Sequence, residues 1–418
     1  MMKSIFIVIL LSIAINSFAQ FKREVIINPL TDTTSAEFPI IFSMWESYMQ
    51  ELLIETAKSD FVIKKMNNKL KSYWDKNDTL LYPFPDLYYA FRSSYGMNFC
   101  PMQRECFLGI AKRDTNLYEL KTMFFNRSDS LGRSFPSMMI TVPVKKDGDS
   151  YTLLNKFSLN KPNLKSRTLS NITYYYSPTY QFNDSLANLL EYRIADFIAY
   201  FQIQNAEPIT YLVADNMTEI ASWFGIDYLE FDFNGTLNMI EGRASTINNM
   251  ILSGGGGENY LHEIIHILLK DIGRGSYNYF EEGIACYFGE HVGHNFPYHF
   301  KRLKQYLDQN SWVDLSKSLS TYYKNDSGQV LYGPVPDSSK CVKYTFQDNE
   351  MKTNIPFIIH AVLCDIAYKK GNTKVKELLL CKANNEQEFY NSIETVLGIK
   401  QEDLNSYIRN YLSINYTE

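Results

Sequence analysis

Two histidines, His262 and His266, enclose a glutamate in the run His262-Glu263-Ile264-Ile265-His266. On a helix, residues i and i+4 share one face, so both imidazoles can reach one metal ion at about 2.0–2.1 Å. The same spacing places Glu263 beside a water on that metal, where a carboxylate can act as a base. The surrounding stretch, 261–269, is apolar and of helical length. With six histidines in 418 residues, chance supplies this pattern in roughly one such sequence in two hundred. The bland alternative is a pair of surface histidines on a structural helix.

A catalytic zinc takes three protein ligands and keeps one position open for water. A metzincin would set glycine and histidine three and six residues after His266, but Leu269 and Ile272 stand there. Downstream, Tyr279-Phe280-Glu281-Glu282-Gly283-Ile284-Ala285 offers two adjacent carboxylates, and on residue type alone either Glu281 or Glu282 could be the third ligand. His291 and His294, with Glu290, lie just beyond; Gly293 interrupts their spacing, and a solvated or substrate-facing loop is the simpler reading. The run 254–257 is all glycine but lacks the Lys-Ser/Thr sequel of a phosphate loop, and a flexible turn into the motif helix suffices for it.

Taken together, the HExxH run and the aromatic-x-x-Glu-Gly-x-Ala segment resemble the gluzincin metallopeptidases, specifically the group with a peptidase MA-like domain. The resemblance spans about residues 183–412. It implies that Glu282, just before the glycine, is the third zinc ligand beside His262 and His266, and that Glu263 is the catalytic base. It also implies a peptide or protein substrate, and that the strand region 244–251 forms a sheet edge holding an extended peptide. Two positions depart from the pattern. Many members carry an oxyanion-stabilising tyrosine shortly before the closing helical tail, whereas this chain reads Met351-Lys352-Thr353-Asn354-Ile355, leaving Tyr344, Tyr332 and His360 as weaker candidates. An aspartate that orients a histidine, four residues after the ligand glutamate, is replaced by Cys286. The alternative function is therefore an inactive zinc-binding protein of peptidase-like form that serves in binding or recognition; another is a binding module carried by the N-terminal region.

The rest of the chain bounds where such chemistry happens. Lys3, an apolar run over 5–15 and Ser17-Phe18-Ala19 read as a signal peptide spanning residues 1–19. The expected location is thus secreted or periplasmic, with no integral membrane segment after cleavage. A formal net charge of -5 without a Lys/Arg run argues against nucleic acid as a partner. Cys100 and Cys106 are close enough to close a small disulfide loop, while Cys286, Cys364 and Cys381 lie in apolar helical patterns.

Positioning elements follow from periodicity, and they predict an α+β chain. Residues 20–180 form an N-terminal helix-plus-antiparallel-sheet domain of cystatin-like form. Its helix shows a stripe of Ile40, Ile41, Met44, Tyr48 and Leu52, and its hairpins join 107–112 to 117–125 and 139–145 to 151–157 around Asp147-Gly148. Residues 173–180 read as a connector. Residues 181–418 form the gluzincin-like domain, with a small sheet and a mainly helical C-terminal part. It opens with a helix capped at Asn183 or Asp184 and striped by Leu186, Leu189, Leu190, Ile194, Phe197, Ile198 and Phe201. A strand over 208–214, a short helix over 217–224 and a turn at Asn234-Gly235 follow. Helices over 355–368, 375–380, 388–396 and 404–412 close the chain, with Gly371 and Gly398 as stops.

Overall fold

A computed structural model describes residues 24–56, 68–76, 104–125, 136–204, 206–229, 242–245, 249–270, 272, 278–290, 294–324, 327–332, 345–347 and 352–416. The signal segment, Cys100, the 234–235 turn, His291 and Tyr344 lie outside these residues, whereas Cys106, expected to pair with Cys100, is described and is a free thiol. The chain is α+β and divides into two compact units. One comprises Met1–Lys165, Tyr175–Thr179 and Ala214–Ile240; the other comprises Ser166–Tyr174, Tyr180–Val213 and Glu241–Glu418. The single boundary expected near residue 180 is thus replaced by repeated crossings, because strands on either side of it pair into one sheet.

In the first unit, β1 (Glu24–Ile27), β2 (Arg104–Asp114), β3 (Leu117–Phe125), β4 (Pro136–Asp147) and β5 (Ser150–Leu153) lie side by side in that order, and the strand Ile226–Leu229 also pairs with β4. β1 runs parallel to β2, and the hairpins are antiparallel. Strict alternation in β3 buries Tyr118, Leu120, Thr122 and Phe124, and helix α1 (Phe38–Thr56) meets Thr122 through a shared carboxylate. The Trp45 indole donates to buried Glu105 on β2 at 2.7 Å, Thr122 Oγ1 donates to the same carboxylate, and Phe38 and Phe42 meet Phe107 edge-on. Of the expected stripe, Ile41, Tyr48 and Leu52 are buried, joined by Trp45 and Met49, whereas Ile40 is 49% exposed. A short helix, α2 (Asn68–Ser72), follows. The strand expected to reach residue 157 stops at Leu153, because Asn155 accepts from the Phe157 amide and caps a new helix, α3 (Lys156–Asn160).

The second unit is organised by a five-stranded sheet. Its members are β6 (Lys165–Leu169), β7 (Ile172–Tyr176), β8 (Ile209–Ala214), β9 (Gly242–Ser245) and β10 (Met250–Gly254), in the order β9-β10-β8-β7-β6. β7 replaces the first part of the connector expected over 173–180, while 177–183 is irregular and leads to the helix cap as expected. The tyrosines of β7 have high strand propensity, and Tyr174 packs against Tyr211 of β8 with ring centroids 4.8 Å apart. Helix α4 (Asp184–Phe201) starts at Asn183, whose side chain accepts from the Ser185 and Leu186 amides, and buries Ala187, Leu190, Ile194, Phe197 and Phe201. Leu186 and Leu189, expected on that stripe, are exposed.

The chain then enters α5 (Leu261–Leu269), α6 (Asn278–Gly289) and α7 (Phe296–Gln309), and ends in α8 (Ile355–Lys370), α9 (Lys374–Leu380), α10 (Glu386–Leu397) and α11 (Gln401–Asn415). α8 is buried from Ile355 to Ala367 apart from Phe357, so it forms the centre of the helical part. Gly371 and Gly398 end their helices as expected. Among the described residues, no helix is long and apolar enough to cross a membrane.

Candidate metal centre

α5 carries the HExxH run, and every residue of the helix is buried except His266, which is partly exposed. Its entrance is held rather than loose. Gly257 has φ +68°, and its carbonyl accepts from the Tyr211 hydroxyl at 2.7 Å and from Ser253 Oγ at 2.8 Å. The same Tyr211 hydroxyl accepts from the Tyr260 amide just before the helix. The glycine run read as a flexible turn is therefore anchored to β8 and β10.

α6 supplies the carboxylates, and two glycines bring it close to its neighbours. A Cβ on Gly283 would lie 2.5 Å from His360 Cβ on α8, and one on Gly289 would lie 2.5 Å from His262 Cα on α5. Neither approach tolerates a side chain. The glycine following Glu282 thus has a packing cause: it lets the carboxylate helix press between α5 and α8.

These contacts bring His262, His266 and Glu282 together, with one ligand atom from each lying within 4.8 Å of the others. Both His262 Nε2 and His266 Nε2 stand 3.7 Å from Glu282 Oε2. Tetrahedral ligands about 2.1 Å from an ion stand about 3.4 Å apart, so two imidazole nitrogens and one carboxylate oxygen at these separations fit a zinc ion. Glu281 meets the other nitrogen of the same ring: its Oε1 lies 3.5 Å from His266 Nδ1. His262 Nδ1 lies 2.9 Å from the Glu290 backbone carbonyl. A carbonyl only accepts, so Nδ1 carries the hydrogen and Nε2 presents its lone pair to the cluster. The Glu290 carbonyl and the Glu281 carboxylate thus meet the Nδ1 atoms of His262 and His266.

Electrostatics among the side chains of the cluster are set by carboxylate crowding. Burial disfavours the charged form of His266, but the negative charge of Glu282, the hydrogen bond to Glu281 and the charge of Glu263 outweigh it and push its pKa up to about 9. Glu263, at 7% exposure, is shielded from bulk water. Burial first, then the Glu282 charge, drive the Cys286 thiol well above its ordinary value, which leaves it protonated and inert.

The oxyanion candidates fare differently. His360 is fully buried, its Nδ1 lies 2.7 Å from the Pro356 carbonyl, and its ring packs between Tyr279 and Phe389. Burial, partly offset by that hydrogen bond, lowers its pKa to about 4, so it is a neutral core residue. The Tyr332 hydroxyl is 3.4 Å from the Trp312 carbonyl. His294 stacks on Tyr298 at 4.1 Å and lies outside the cluster. Residue types alone did not reveal Glu290 as a partner of His262; the available signal was the glycine just before it, at the end of a helix. Compared with models of known protein families and with curated protein sequences, the chain matches none.

Proposed function

We propose that the chain is an exported zinc metallopeptidase of gluzincin type, with His262, His266 and Glu282 as ligands and Glu263 as general base. The observation that supports this most is the convergence of His262 Nε2 and His266 Nε2 on Glu282 Oε2 at 3.7 Å each, with Glu263 next in sequence to the first ligand. When bound, zinc supplies a Lewis acid for a substrate carbonyl and acidifies a water toward a pKa of about 7. The Glu263 carboxylate takes the proton that the attacking water gives up, and returns it to the departing amine. The shielded position of Glu263 keeps competing water away from that transfer. Among the described residues β9 is an edge strand of its sheet and lies beside α5; an extended peptide would add there by main-chain pairing.

The test is zinc content together with digestion of casein and a peptide library by wild type and Glu263→Gln. The expected result is one zinc per chain in both proteins and cleavage by wild type alone. Cleavage by Glu263→Gln at the wild-type rate would reject the assigned base. Zinc without cleavage in wild type would favour a recognition role.

A further inference from the structure

The segment that orients His262 is itself held from outside. Arg193, on α4, donates from Nη2 to the Phe288 carbonyl at 3.0 Å and from Nη1 to Glu290 Oε1 at 3.3 Å. Nη1 also lies 3.4 Å from Asn259 Oδ1, two residues before α5 begins. One guanidinium therefore joins the end of the carboxylate helix to the entrance of the histidine helix. Between its two contacts on 288–290 lies Gly289, pressed against the backbone of His262. Glu290 has φ +74°, a left-handed conformation that disfavours a residue with a side chain. Such a backbone persists where surrounding contacts hold it, and here its carbonyl lies 2.9 Å from His262 Nδ1.

We infer that Arg193 is a positioning residue of the metal centre, which clamps 288–290 so that the Glu290 carbonyl sets the tautomer and direction of the His262 ring. This rests on the zinc reading proposed above. Arginine suits the task because its planar fork offers several donors in a fixed arrangement, whereas lysine offers a single point of charge.

The experiment compares full-length wild type, Arg193→Ala, Arg193→Lys and a control, Arg167→Ala. The control removes an exposed ion pair to Asp184 at the start of the same helix. Zinc dissociation constants are measured by chelator competition where circular dichroism shows the metal-free proteins folded. The His262 tautomer is read by nitrogen-15 NMR without metal. Arg193→Ala should bind zinc about 10- to 100-fold more weakly and show His262 as a mixture of tautomers, with Arg193→Lys recovering only part of both losses and Arg167→Ala unchanged. A folded Arg193→Ala with wild-type affinity and a single tautomer would overturn the assignment and leave Arg193 as a tie between helices. If the alanine variant does not fold, the lysine variant decides by the same two readings. If wild type binds no zinc, the proposed function falls, while the tautomer comparison still decides the role of Arg193.

Discussion

Gly283 of α6 stands so close to His360 of α8 that a Cβ on the glycine would lie 2.5 Å from the histidine Cβ and 2.6 Å from its carbonyl carbon. The neighbouring residue is Glu282, so the spacing of two helices also sets the reach of the proposed third ligand. Gly283→Ala should push α6 off α8, cost about 1–3 kcal/mol of stability and weaken zinc binding. Thermal unfolding of the metal-free protein and chelator competition read these separately. Unchanged values for both would show that the helices separate without disturbing the site.

The adjacent glutamates approach different nitrogens of His266, Glu281 at Nδ1 and Glu282 at Nε2, and their variants should part accordingly. Glu282→Ala should lose stoichiometric zinc. Glu281→Ala should keep one zinc per chain but hold it about 10- to 100-fold more weakly. Metal analysis after gel filtration, followed by chelator titration, distinguishes them; equal loss from both would mean that the two carboxylates share the ion.

Zinc binding should release a proton. In the metal-free protein the His266 pKa is raised to about 9, so the imidazole is charged at neutral pH and must lose its proton to become a ligand. Affinity should rise as pH climbs from 7 toward 9 and then level. Calorimetry in buffers of different ionisation heat counts the protons. Because the folded pKa lies above the ordinary value, the stability contributed by this charge is complete below about 6.5 and is lost as pH rises through 9.

His360 should act in the opposite direction. Its folded pKa is depressed to about 4, so its contribution is present above about 6.5 and is lost as pH falls toward 4, where the unfolded chain takes up a proton that the native core resists. Urea midpoints of wild type and His360→Leu between pH 7 and 4 isolate this effect. The difference between the two should change over that window, and a constant difference would refute it.

The C-terminal helix is tied to the site through a buried carboxylate. Asp365 on α8 accepts from Tyr287 of α6 at 3.2 Å, from Tyr411 of α11 at 2.7 Å and from Tyr416 at 2.5 Å. Asp365→Ala would leave these hydroxyls without their shared acceptor and should cost about 3 kcal/mol or more. Tyr411→Phe should cost less, since one bond is lost and the carboxylate keeps its others. Denaturant unfolding measures both; a loss under 1 kcal/mol in Asp365→Ala would show that water replaces the carboxylate.

Much of the second unit was legible because its signals are local. The helices of the C-terminal part follow their apolar spacing, and Gly371 and Gly398 stop them where a left-handed or extended backbone is needed. The errors arose where distant pairing overrides local preference. Residues 172–176 look like an aromatic connector until β6 and β8 flank them, and Trp45 joins the buried stripe of α1 where it finds an acceptor sixty residues away on β2. A fragment beginning at residue 181 would lack β6 and β7, a consequence that no reading of the linker composition supplies.

By itself the sequence determined which groups can meet a cation. Helical periodicity places His262 and His266 on one face whatever surrounds them, and the Glu-Gly pair marks a carboxylate beside a point of close approach. Only the tertiary structure decided which glutamate turns toward the imidazoles, which atoms orient the rings, and that Arg193 reaches both 288–290 and Asn259. Those choices depend on contacts between helices far apart in the chain, where a missing Cβ or a single carbonyl at 2.9 Å selects one arrangement among several that the residue types permit equally.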